Sequence, residues 1–140
     1  RAAIDIEGKI GSIELAPIME FPAERHAQPV SRELVADLTK QLRTAMWRYV
    51  GIVRTNERLA KALDIIRDID AQAEELYARG TLSAELLELR NMALTSELII
   101  LSAQSRKESR GLHYNLDYPD LDDANFKRDT VLVGAGEKAL

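Results

Sequence analysis

Three apolar patterns of helical period in this chain each open with a hydroxyl residue followed two positions later by glutamate: Ser31-Arg-Glu33, Thr55-Asn-Glu57 and Ser83-Ala-Glu85. The hydroxyl oxygen can accept from a free amide of a first helical turn, and the carboxylate sits where the helix dipole favours negative charge. These starts constrain the fold because each is followed by an apolar pattern of helical period. After Ser31, the residues Leu34, Leu38, Leu42, Ala45, Met46 and Tyr49 recur at steps of three and four, and the pattern weakens near Gly51. After Thr55 the steps run through Leu59, Leu63, Ile66, Ile69, Ala73 and Leu76, with Gly80 placed as a helix-ending glycine. This second helix is about 25 residues long, or roughly 37 Å.

The third pattern is apolar over a wider arc: Leu86, Leu87, Leu89, Ala93, Leu94, Leu98, Ile99, Ile100 and Leu101. A helix apolar over such an arc touches more than one neighbour, and surplus surface implies a partner or self-association. Short connections make successive helices antiparallel neighbours. The predicted fold is therefore all-α, an antiparallel three-helix bundle over residues 31–105 with irregular N-terminal and C-terminal extensions. Residues 1–30, broken by Gly8, Gly11, Pro17, Pro22 and Pro29, are expected to form a linker or wrapping segment; residues 106–140 are expected to form a loop and tail.

A chain of 140 residues fits one domain, not a dinucleotide-binding domain plus a substrate domain. Its first residue is Arg1, and Ala-Ala-Ile-Asp-Ile has no signal-peptide character, so a piece of something larger is expected. The longest apolar run, Leu98 to Leu101, is far short of the roughly 18 residues of a membrane span, so a soluble protein with no membrane partner is expected. Cysteine is absent, which removes disulfides and thiolate chemistry and fits a reducing, cytoplasmic setting. The net charge of −4, with both signs mixed along the helices, argues against nucleic acid as a partner.

The densest chemistry lies in Arg106-Lys-Glu-Ser-Arg-Gly-Leu-His-Tyr-Asn-Leu-Asp-Tyr-Pro119. Gly111 supplies the freedom a sharp turn needs, and Pro119 prevents a helix from re-forming. Together with Met46-Trp-Arg-Tyr-Val-Gly-Ile-Val-Arg-Thr55 and Leu87-Glu-Leu-Arg-Asn-Met92, this segment closely resembles the C-terminal helical region of the L-aspartate oxidase family, from about Ser31 to Pro119. The flavoprotein subunits of succinate dehydrogenase and fumarate reductase carry a similar Glu-Ser-Arg-Gly-Ala-His loop, with Leu112 here in the Ala place. The resemblance implies an enzyme that oxidises L-aspartate to iminoaspartate on FAD, with oxygen or fumarate taking the electrons, at the entry to bacterial NAD synthesis. It also implies that the flavin-binding domain of the same polypeptide is this segment's partner, that FAD is bound there and not here, and that catalytic residues lie upstream. A respiratory flavoprotein tail is the alternative within the superfamily, and a stand-alone helical adaptor is the alternative outside it.

Arg106, Glu108, Ser109, Arg110 and His113 are the candidate site residues. Arginine grips a carboxylate in a two-pronged geometry, so one reading has them hold a dicarboxylate. The other, which the resemblance favours, has them tie the loop to the bundle and to the flavin domain as an interdomain element. Val131-Leu-Val-Gly-Ala-Gly-Glu-Lys-Ala139 mimics a dinucleotide fingerprint, but with the chain ending at Leu140 it lacks the following helix and second strand, and a flexible tail is expected. His26 and His113 lie in different segments without metal-ligand spacing, so no metal is expected. Trp47 is assigned to core or interdomain packing. Arg90 and Asn91 either face solvent or meet the N-terminal segment.

Overall fold

A computed structural model describes residues 29–79 and 82–133 of the chain. Three long helices dominate: α1 (Arg32–Tyr49), α2 (Asn56–Arg79) and α3 (Ala84–Ser105). Each begins where its hydroxyl residue caps it. The Oγ of Ser31 accepts from the Leu34 amide at 3.2 Å, Thr55 Oγ1 from Arg58 at 3.1 Å, and Ser83 Oγ from Leu86 at 3.2 Å. α1 ends at Tyr49, where Val50 turns out of helical geometry ahead of Gly51.

α2 and α3 run antiparallel, since Arg67 pairs with Glu97 while Glu74, further along α2, pairs with Arg90, earlier on α3. α1 and α3 share a cleft lined by Arg32 to Thr44 of one and Glu85 to Met92 of the other, so their N-terminal halves lie side by side. The result is the up-down-up bundle that the short connections predict. Its core is built from Val35, Leu38, Leu42 and Ala45 of α1, Leu59, Ala62, Ile66, Ile69 and Ala73 of α2, and Leu86, Leu89, Ala93, Ile100 and Ala103 of α3.

The phase of α1 differs from expectation. Leu34 is 41% exposed and Val35 takes the inward position. Both fit a step of three or four to Leu38, but only Val35 shares the buried line through Leu38, Leu42 and Ala45. Trp47 is not a core residue: at 88% exposure it stands on the outside of α1. Arg90 is partly exposed, and its guanidinium binds Glu74 and stacks 3.7 Å from the centroid of the Tyr77 ring; the N-terminal segment it was expected to meet as the alternative lies outside the described residues. The wrapping segment with His26, the helix-ending Gly80 and the glycines of the tail lie outside the described residues.

Three small elements are absent from the sequence expectation. Strand β1 (Val53–Arg54), in the α1–α2 turn, pairs in parallel with β2 (Tyr114–Asn115), Val53 opposite Tyr114 and Arg54 opposite Asn115. A one-turn helix α4 (Asp123–Phe126) follows, capped by Asp122, which accepts from the Asn125 amide at 3.1 Å.

Candidate functional site

The segment after α3 folds back on itself at Gly111, whose φ of 58° is the left-handed conformation that the turn requires. On either side of it Arg110 and His113 exchange backbone hydrogen bonds at 2.8 and 3.0 Å. Ser109 Oγ, buried beneath this turn, donates to the Tyr118 carbonyl at 2.8 Å and accepts from the Asn115 amide at 2.9 Å. Asn115, itself buried, closes the next turn by accepting from the Asp117 amide at 3.0 Å.

Glu108 is the centre of this clasp and is fully excluded from solvent. Arg110 grips it with both prongs, Nε to Oε1 at 2.8 Å and Nη2 to Oε2 at 2.9 Å. Arg106 Nη1 binds Oε1 from the other side, and the Asp122 amide donates to Oε2 at 3.0 Å. Hydrogen bonding from Arg110, helped by Asp122 and Arg106, outweighs the effect of burial and holds the carboxyl at about 2. The same contacts, with Asp123 at 2.6 Å, raise the pKa of Arg110 above its ordinary value. Arg106 also reaches forward along the chain, from Nη1 to the Phe126 carbonyl at 2.9 Å, from Nη2 to the Arg128 carbonyl, and from Nε to Thr130 Oγ1 at 3.2 Å. One buried carboxylate and two arginines thus bind the end of α3, the Gly111 turn, α4 and residues 126–130 together.

The other half of the site fastens this loop to the α1–α2 turn. Arg54 donates to Nδ1 of His113 at 2.7 Å and to the Gly51 and Val50 carbonyls at 2.8 and 3.3 Å. Since a guanidinium can only donate, Nδ1 is the acceptor, and Nε2–H therefore donates to the Arg106 carbonyl at 3.2 Å. The Nδ1 contact requires a neutral imidazole. Burial, then the charge of Arg54, lowers the His113 pKa accordingly. Asp117 Oδ2 accepts from the Asn56 amide at 2.6 Å, a second cap on α2 supplied from the loop.

The five residues singled out from sequence are therefore brought into one continuous network. Its other members, Arg54, Asn56, Asn115, Asp117, Asp122 and Asp123, were not singled out. Arg54, Asn115 and Asp117 lie inside quoted motifs, and only the pairing of β1 with β2 shows why the Arg54 motif accompanies the loop.

Among the described residues, the site does not fit a flavin. The pyrophosphate of a dinucleotide needs a free helix N-terminus behind a glycine-rich turn. Here the α1, α2 and α3 N-termini are occupied by their own Ser31, Thr55 and Ser83, each with glutamate in the first turn. No buried side-chain nitrogen or oxygen is left without a partner, and no cluster of three metal-ligating side chains forms among these residues. Among the described residues, no helix is long and apolar enough to cross a membrane.

Comparison with known proteins places this geometry in context. The family described as fumarate reductase flavoprotein C-term matches residues 39–139. The chain is 52% identical over 100 residues to an L-aspartate oxidase of Pseudomonas aeruginosa, covering 71% of this chain and 18% of that one. It is 43% identical over 120 residues to an L-aspartate oxidase of Yersinia pestis, covering 85% and 22%. A chloroplastic L-aspartate oxidase of rice is 39% identical over 106 residues, covering 69% and 16%. The chain spans about a fifth of the length of the curated relatives it matches.

Proposed function

The chain belongs to the fumarate reductase flavoprotein C-terminal family, and from that premise we propose that it serves as the helical C-terminal domain of an FAD-dependent L-aspartate oxidase. In that role the polypeptide oxidises L-aspartate to iminoaspartate in the cytoplasm, at the entry to NAD synthesis. The flavin and the catalytic residues belong to the upstream flavin-binding part, against which this domain packs. On this reading residues 1–30 are the linker or wrapping segment, 31–105 the bundle, and 106–140 the loop and tail. Identity of 39–52% to oxidases, with Leu112 in place of alanine, favours this branch over a respiratory flavoprotein.

The observation that carries the division of labour is the inward direction of the clasp's ion pairs. A substrate-binding arginine keeps donors directed at an open cavity. Arg106 and Arg110 instead spend theirs on Glu108, Asp123, Thr130 and the carbonyls of Phe126 and Arg128. Their work on this reading is to hold the domain's own end in shape.

Visible absorbance and aspartate-dependent peroxide formation, measured on the 140-residue chain and on a polypeptide extended through the upstream coding region, test the assignment. The extended protein should be yellow and active, and the chain alone colourless and inactive. Stoichiometric flavin on the chain alone, or an extended protein without flavin or activity, would overturn it.

A further inference from the structure

The inner face of α3 is filled by Leu86, Leu89, Ala93, Ser96, Ile100 and Ala103. Roughly opposite run Leu87, Asn91, Leu94, Leu98, Leu101 and Ser102, an uncharged line along most of the helix. Leu87, Leu94 and Leu98 are 39%, 56% and 45% exposed, and Ile99 beside them is 44% exposed. The other long helices show charge to water, Arg32, Lys40 and Arg43 on α1 and Glu57, Lys61 and Asp64 on α2. Of the charges that flank the α3 line, Arg90 and Glu97 are drawn sideways to Glu74 and Arg67, and Glu88 stands exposed beside its N-terminal end. Towards the C-terminal end of α3 the line opens into a groove of about 410 Å³. Leu98, Ile99 and Ala103 line it together with Arg54, Arg106 and His113.

We propose that this line and groove form the docking surface for the upstream, flavin-binding part of the same polypeptide. This rests on the assignment to an L-aspartate oxidase. An uncharged helix face that ends in a groove lined largely by apolar side chains selects an apolar element. The relatives indicate which occupant it is. The matched segment is 18% and 22% of two of them and, by the family description, C-terminal, so about four fifths of such a polypeptide is tethered to this domain. Tethering gives an effective concentration on the order of millimolar, which a free second copy does not match.

The test places a photoreactive benzoylphenylalanine at Leu94, at Leu98, or at exposed Ala71 on α2 as control, in the extended polypeptide mixed with an isotope-labelled copy. Cross-linked peptides are then identified by mass. Docking predicts links from positions 94 and 98 to upstream peptides of the same copy, unaffected by dilution, and none from position 71. As a smaller perturbation, Leu98→Cys should react with maleimide about tenfold or more slowly than Ala71→Cys. Links to residues 1–28 or to the other copy, or cysteine 98 reacting as fast as cysteine 71, would overturn the proposal. Flavin absorbance and aspartate turnover of the same preparations report separately on the assignment itself.

Discussion

Glu108 shows how a single carboxyl group can organise a loop. Two arginines and a backbone amide meet at a group with no contact with water, so its charge is required by everything around it. Its pKa is lowered from 4.5 to about 2, so the stability it contributes is fully present above about 4.5 and is lost as pH falls towards 2. Glu108→Gln should lower the melting temperature at pH 7 and flatten the acid limb of a plot of melting temperature against pH; an unchanged acid limb would assign that limb to other groups. His113 carries a second pH dependence. Its folded pKa lies below 6.5, so its contribution is complete above that value and declines as pH falls through it. NMR titration of its ring should give a midpoint below 6.5, and Arg54→Met, which removes the repelling cation, should raise that midpoint. A midpoint at or above 6.5 in the unsubstituted protein would mean that the Arg54 contact does not hold in solution.

At the scale of elements, the legible parts were those whose information is local. Ser31, Thr55 and Ser83 announced the helices because a cap acts within three residues, and the three-and-four steps announced their inner faces. Leu34 was misplaced because a side chain one step out of phase at a helix start still satisfies the period, and only packing chooses between it and Val35. The two-residue strands are too short to carry a period, and their pairing joins segments some sixty residues apart. Asp117 was silent for the same reason: its partner, the Asn56 amide, lies on another element. α2 carries two predictions. Ile66→Ala, at a site with no exposure, should cost about 2–5 kcal/mol in chemical denaturation, and Leu63→Ala, only partly buried, should cost less. A reversed order would mean that α2 presents a different face. Asp117→Ala should cost about 0.5–2 kcal/mol by removing a cap. No loss would leave Thr55 as the only cap that matters.

The whole molecule has a bundle whose helix starts are self-capped, a charged clasp whose donors are used internally, and an uncharged outer line on α3. The first two leave little with which to grip a cofactor or substrate, and the third suits a domain that is covered by something else. The sequence disclosed the surplus apolar arc of α3 and the family resemblance, but not that the loop's charges turn towards one another, because that depends on Asp122, Asp123 and residues 126–130 folding back over Arg106 and Arg110. The central claim, architecture here and chemistry upstream, meets its most direct test at Arg110. Arg110→Lys keeps the charge and loses the planar fork that grips Glu108. The measurement is the aspartate dependence of the rate in the extended enzyme, taken with flavin content and melting temperature on the same preparation. The account predicts a lowered melting temperature with an unchanged KM for aspartate in the protein that remains folded. A large rise in KM at unchanged melting temperature and flavin content would contradict it and place Arg110 on the substrate.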